Sequence, residues 1–397
     1  MTQELIKRGH SITVLTGWPN YPKGVVFPAF RNDREKFSEY HGARIFRVPL
    51  IARGRGGVRL LLNYISFALS ASFLGVWLLR HRQFDAIFAF EPSPITVGIP
   101  AAIISRLKKV PWAFWILDLW PETLQAIGVV RSPAVLRVVG WLVSAIYRHC
   151  DLILGQSRGF VPMIAKYAGP NARIEYFPNW ADHFPTVHDV VPAAEVPDDP
   201  EAFNVLFAGN VGEAQDFPAI LRAAELLRDR ANVRWLIVGD GRLSPWLARE
   251  VEARGLSSTM LLLGRFPPER MQSFFLHAHA LLVSLKDEPI FSYTIPGKVQ
   301  SYLGTGLPVL TMLNGEGARI IRDAQAGIVC ASGDSQALAD AVVTLSTMSV
   351  AERRRMGQNG LALAQREFDR DTLVSKLEQW LEQLEYPHAA PPTRRVN

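Results

Sequence analysis

The feature that most limits the fold is a long alternation of short apolar runs with longer helical patterns. Residues 12–16, 86–90, 113–117 and 152–154 read as strands in the first half, and 204–208, 233–238, 260–263, 281–284, 308–311 and 327–330 in the second. Helical patterns separate them, among them 219–230 and 245–254. Parallel strands need a crossover, and a helix usually supplies it, so the alternation predicts parallel α/β sheets covered by helices. The rhythm breaks at PTVHDVVPAAEVPDDPE (185–201), whose four prolines and five acids read as a linker. A chain of 397 residues exceeds what one core usually fills, so two α/β domains are expected, one on each side of that break. A final pattern over 371–385 places Leu373, Leu377, Trp380 and Leu384 on one stripe and predicts a docked helix.

Charge divides along the same line. The net charge is +6, but residues 1–150 hold 19 Lys/Arg against 8 Asp/Glu, and residues 151–397 hold 24 against 29. A basic first half suggests an anionic neighbour, such as a membrane surface or nucleic acid, with a solvated surface of uneven charge as the alternative. Nucleic acid is set aside because no stacking-aromatic motif accompanies the charge. Residues 60–79 (LLLNYISFALSASFLGVWLL) run twenty positions without a charge, between Arg59 and Arg80-His81-Arg82. That length reaches across a bilayer, yet Asn63, Ser66, Ser70, Ser72 and Gly75 interrupt it, and a span would isolate a 59-residue fragment. A buried helix and a helix lying in the membrane interface are the alternatives, and the basic flanks suit the second. Cys150 and Cys330 give neither a disulfide framework nor a zinc spacing, which fits a reducing cytosol. The first residues show no apolar stretch with a cleavage site, so no secretory signal is expected there.

Ligands of open α/β sheets bind at loops beyond the carboxyl ends of strands. The loop LFAGNVGE (206–213) lies between a strand and a helix, where glycine lets backbone N–H groups approach a phosphate; a plain tight turn is the alternative. VGDG (238–241) ends the next strand and lacks the spacing of a dinucleotide fingerprint. In TIPGKVQSYLGTGLPV (294–309) Lys298 falls just inside a helix start, within reach of a bound diphosphate or simply solvated. In DLWPE (118–122) Asp118 closes a strand, as an acid of the site or an ordinary loop acid.

Taken together, GNVGEAQDF (209–217), VGDG, IPGKVQSYLGTGLPVL (295–310), DLWPE, RGHSITVLTGWPNYP (8–22) and PNWAD (178–182) resemble, in order and over essentially the whole chain, the retaining family 4 glycosyltransferases of the GT-B fold. The resemblance points to their bacterial surface-polysaccharide branch, which includes colanic acid and O-antigen fucosamine transferases. It implies two Rossmann-like domains facing a cleft, and transfer of a hexosyl or N-acetylaminosugar unit from a nucleotide diphosphate sugar, UDP rather than GDP, with retention. The acceptor implied is polyprenyl-linked or a saccharide, in exopolysaccharide, capsule or O-antigen synthesis. Gly209, Asn210 and Gly212 would frame the donor phosphates, Lys298 would stabilise the leaving diphosphate, and Asp240 and Ser301 would line the donor site. Asp118 would act on the acceptor side, with no cofactor and no metal. A sugar-nucleotide 2-epimerase and a non-catalytic binding subunit of the same architecture are the alternatives.

Three departures accompany the resemblance. Many relatives carry two glutamates where Tyr293 and Ser301 stand, and an Arg and a Lys where Glu213 and Gln215 stand, which loads the phosphate role onto Lys298. Relatives also place a β-strand and a glycine-rich loop before the helix that ends in RGH; either the start is assigned late, in which case an in-frame upstream extension supplying both is expected, or this is a truncated copy. The implied domains are residues 1–184 (acceptor side, first strand absent), a linker at 185–202, 203–368 (nucleotide-sugar side), a helix at 369–387 packing back on the first domain, and a tail at 388–397. The expected location is cytoplasmic and peripheral, on the inner face of the plasma membrane.

Overall fold

The computed structural model describes residues 1–384 except 21–23, 34, 55, 127, 129, 182–189 and 231. Arg55, Asp182, the first part of the expected linker and the tail at 388–397 therefore lie outside the described residues. The chain forms two compact units, Met1–Phe177 with the described residues from Asp371 on, and Pro178–Arg370. Both are α/β structures whose sheets are mainly parallel.

Among the described residues the first unit holds seven strands in two sheets. One sheet has the order β1 (Thr13–Gly17), β3 (Ala43–Val48), β2 (Glu39–Tyr40), with β1 and β3 parallel and β2 antiparallel to β3. The other runs β4 (Ile87–Glu91), β5 (Trp112–Ile116), β6 (Leu152–Gly155), β7 (Ile174–Tyr176), all parallel and in chain order. Each of these sheets thus ends on an edge, β1 in one and β4 in the other. Burial follows the pairing: every residue of β5 and β6 is buried, whereas all of β1 is half-buried and Phe90 of β4 is 50% exposed. Of the seven, β2, β3 and β7 were not anticipated. ARIFRV carries two arginines and only its end residues, Ala43 and Val48, are buried, so its apolar run is broken. IEY is three residues long.

Helix α1 (Thr2–Lys7) precedes β1, and α2 (Gly57–Leu78) crosses from β3 to β4. Helices α3 (Gly98–Lys108) and α4 (Pro133–Tyr147) follow β4 and β5; Ser132 and Pro133 give α4 its start, proline serving at a position whose N–H needs no partner. Helix α2 differs from a buried helix. Its packed side carries Asn63, Tyr64, Ala68, Ala71, Ser72 and Gly75, while Val58, Leu61, Leu62, Ile65, Leu69, Phe73 and Trp77 are exposed. Gly75 sits in a π-helical stretch, Ala71–Gly75, and a Cβ there would lie 2.7 Å from Leu15 of β1. The small and polar residues that interrupt the apolar run are therefore the ones that let this helix approach the sheet.

Among the described residues the second unit holds one six-stranded parallel sheet: β8 (Phe203–Ala208), β9 (Val233–Val238), β10 (Met260–Gly264), β11 (Ala280–Ser284), β12 (Val309–Met312) and β13 (Gly327–Cys330), in the order β10-β9-β8-β11-β12-β13. Helices α5 (Phe217–Leu226) and α6 (Gly297–Leu303) follow β8 and β11. The described part of the segment expected as linker packs on this unit instead of hanging free. Ala193 and Val196 are buried, the Ala193 N–H donates to Ser273 O at 3.0 Å, and Arg234 pairs with Asp199 at 2.5 Å.

The last helix, α7 (Arg370–Glu382), packs in the first unit through Leu373, Val374 and Leu377. Trp380 meets Phe177 edge-on at 6.0 Å. Glu378 accepts from Arg8 at 2.6 Å and lies 2.7 Å from His10 Nε2, joining α7 to the end of α1. Leu384, the fourth member of the expected stripe, lies just beyond the helix end.

Candidate functional site

In the second unit β8, β9 and β10 build outward in one direction, whereas β11, β12 and β13 build outward in the other. The chain therefore reverses its winding between β8 and β11, and the carboxyl ends of that pair are where an open α/β sheet leaves a crevice for a ligand. Lys298 lies there. Its Nζ donates to Gln215 Oε1 at 2.6 Å and stands 4.0 Å from the centre of the Phe207 ring. Enclosure of the ammonium pulls its pKa from 10.5 down to about 7. One turn later on α6, the Tyr302 hydroxyl accepts from Ala208 N at 2.8 Å, which fixes the helix to the end of β8. Gln215 is held from the opposite side, since Ser284 at the end of β11 donates to its carbonyl at 2.6 Å and Lys286 N donates to Ala214 O at 2.9 Å.

The glycines serve close approach. A Cβ on Gly209, whose φ is +143°, would stand 2.6 Å from Lys298 Cε, and one on Gly239 would stand 1.8 Å from Gly209 O. The Gly209 N–H donates to Val238 O, so glycine at 209 supplies room for Lys298 while its own N–H stays within the protein. Asn210 lies across the two loops: its amide nitrogen would be 2.4 Å from a Cβ on Gly212 and its carbonyl oxygen 2.7 Å from one on Gly241. Asp240 is exposed and accepts from Gly241 N at 2.7 Å; the Ser244 hydroxyl first, then that N–H, hold its carboxyl below the usual range. Ser301 lies three residues beyond Lys298 on α6 and is half-buried. The six candidates on the donor side thus all belong to one unit, in the loops that follow β8 and β9 and on α6.

Asp118 belongs to the first unit, just after β5. Its Oδ1 accepts from the Thr123 hydroxyl at 2.5 Å and its Oδ2 from Trp120 Nε1 at 3.1 Å, so both oxygens are engaged by the turn leading into Glu122–Ala126. Its N–H donates to Glu91 Oε2 at 3.2 Å. Glu91, at the end of β4, went unnoticed in the sequence. It is fully buried, and burial first, then the Asp118 charge, pushes its carboxyl well above the ordinary range. Its Oε1 has no hydrogen-bond partner among the described residues. The signal was present, since an acid closes an otherwise apolar run, but an acid at a strand end is also an ordinary turn residue. Phe207 and Tyr302 were missed for a similar reason: each reads as an apolar packing residue until Lys298 is placed over the Phe207 ring and the Tyr302 hydroxyl against Ala208.

The family model described as "Glycosyl transferase 4-like domain" matches residues 1–180, and that described as "Glycosyl transferases group 1" matches residues 202–348. The probable glycosyltransferase WbjE of Pseudomonas aeruginosa is 24% identical over 292 residues, covering 70% of this chain and 72% of its own. The putative colanic acid biosynthesis glycosyl transferase WcaI of Escherichia coli is 25% identical over 270 residues, covering 64% of each chain. Among solved structures, Anabaena HepE in complex with UDP-glucose superposes with a TM-score of 0.65 at 15% identity, over 94% of this chain and 100% of that one.

Proposed function

Because the chain belongs to the glycosyltransferases that join a 4-like domain to a group 1 domain, we propose that it transfers a sugar from a UDP-sugar, with retention, to a polyprenyl-linked or saccharide acceptor in the synthesis of a bacterial surface polysaccharide. The observation that carries the donor side is the enclosed ammonium of Lys298 at the winding reversal of the sheet. When the bond from the anomeric carbon to the diphosphate breaks, negative charge grows on the departing phosphate oxygen. A cation already in place stabilises that charge without reorganisation, and enclosure keeps water from weakening it. The diphosphate also restores the charged form of Lys298, since an adjacent anion raises the pKa that burial has lowered.

The acceptor hydroxyl oxygen bonds to the anomeric carbon as the bond to the diphosphate breaks, and its proton passes to the departing diphosphate oxygen. Asp118 is assigned to that side as a positioning acid, with Trp120 and Thr123 fixing its carboxylate. HepE, which holds UDP-glucose, supports UDP as the nucleotide, and WcaI supports a polysaccharide product. The basic first half and α2 support a peripheral position on the cytoplasmic face of the plasma membrane.

The test is UDP release from UDP-glucose and UDP-N-acetylglucosamine, with and without polyprenyl-phosphate-linked acceptors, together with NMR of the product's anomeric proton. Acceptor-dependent release and an α-linked product from the α-linked donor are expected. An inverted linkage removes retention. Conversion of the donor sugar without acceptor points to an epimerase, and UDP binding without turnover points to a binding subunit.

A further inference from the structure

Helices α2, α3 and α4 pack side by side on the first unit, and their outer face is unlike the rest of the surface. Among the described residues, 12 of the 21 exposed large apolar side chains lie on these three helices: seven on α2, Ile103 and Leu107 on α3, and Val135, Val138 and Trp141 on α4. Trp141 is 73% exposed and Phe73 76%. The segments 57–82, 95–111 and 130–149 hold nine Lys/Arg and no Asp/Glu. Basic residues at helix C-termini complement the macrodipole, which accounts for some of these, but the same dipole favours acids in first turns. All three first turns lack one. An apolar face rimmed with positive charge and cleared of negative charge matches an anionic lipid leaflet.

Within this face lies a groove between α3 and α4 of about 210 Å³. Ala102, Ile103, Leu142 and Ala145 line it, and Arg106 and His149 stand at the end where both helices finish. The volume is below that of a pocket for a drug-sized molecule, which suits a slender chain. The polarity along the groove, apolar and then basic, is that of one lipid chain with its phosphate. We propose that this face rests on an anionic phospholipid leaflet and that the groove takes one acyl chain of a bound phospholipid, its phosphate held at Arg106 and His149. This rests on the peripheral-membrane reading above and gives it a site.

Two measurements separate the parts. Calorimetric titration with dihexanoylphosphatidylglycerol below its micelle concentration is expected to saturate near one lipid per chain; Ala102→Trp, which fills the groove, is expected to lower that affinity at least tenfold. Absence of saturable binding, or equal binding by Ala102→Trp, overturns the groove. In co-sedimentation with phosphatidylcholine vesicles containing phosphatidylglycerol, the wild type is expected to bind and Val138→Glu/Trp141→Glu to bind at least tenfold less. Failure of the wild type to bind these vesicles overturns the membrane reading itself. Circular dichroism and UDP affinity, expected to be unchanged in every variant, show that the fold and donor site persist.

Discussion

At the residue scale the site turns on groups whose surroundings oppose their charge. Lys298 is enclosed beside Gln215 and Phe207, and its pKa of about 7 makes it mostly neutral in the unliganded protein at pH 8. A bound diphosphate reverses this, so UDP binding at pH 8 should be accompanied by net proton uptake at Lys298, seen as a dependence of the binding heat on buffer ionisation. Lys298→Ala should abolish the uptake and reduce turnover by about 2–4 kcal/mol of transition-state stabilisation. The same shift acts on stability: between about 7 and 10.5 the unfolded chain binds the proton more strongly, so this group's contribution falls as pH drops through that window. Glu91 runs the opposite way. Its folded pKa is raised above 4.5, so its contribution is complete below 4.5 and is lost as pH rises toward the folded value. The melting temperature of Glu91→Gln should therefore gain on that of the wild type as pH increases from 5 to 8, and a constant difference would falsify the protonated state assigned to this carboxyl.

At the scale of elements, what was legible and what was not have one physical cause. Fully buried parallel strands such as WAFWI and VLTM read as continuous apolar runs, so β5 and β12 stand out without any partner being known. β2 and β7 are only two and three residues long and the run of β3 is broken by two arginines, which is why these strands escaped notice. The same limit hid the site's supporting residues: Lys298 and the glycines are marked by their loops, but Phe207, Tyr302 and Glu91 acquire meaning only from neighbours distant in sequence. The two edges in the first unit carry a measurable consequence. Among the described residues β1 pairs with β3 alone and β4 with β5 alone, so amides facing the open edges should exchange with deuterium orders of magnitude faster than those of β5 and β6. Uniform protection across all four strands would contradict the split sheet. Helix α7 offers a second test, because Leu377 is fully buried in the first unit. Leu377→Ala should cost about 2–5 kcal/mol in urea unfolding while leaving UDP affinity, which the proposed donor site assigns to the second unit, unchanged.

At the scale of the whole molecule, the charge asymmetry and the exposed face of α2, α3 and α4 act together, and salt separates their contributions. Each Lys or Arg near an anionic surface contributes about 1 kcal/mol at physiological ionic strength. Raising salt to 1 M shortens the Debye length from about 8 to about 3 Å and removes most of that attraction, whereas contacts between lipid and Leu61, Phe73 or Trp141 are not screened. Membranes from a bacterial host expressing the protein should therefore release much of it into a 1 M salt wash and little at low salt. Val138→Glu/Trp141→Glu should appear mainly in the soluble fraction before any wash. The alternative for α2 is a transmembrane span, which would hold the protein through salt and alkaline washes until detergent is added. The structure weighs against that outcome through the helix's other side, where Asn63, Tyr64 and Ser72 are packed against the first unit. A span would strip those contacts away and expose polar groups to hydrocarbon at a cost of several kcal/mol each. Release by salt thus reports how this helix is used: its large apolar side chains toward the membrane and its small, polar side chains toward the protein.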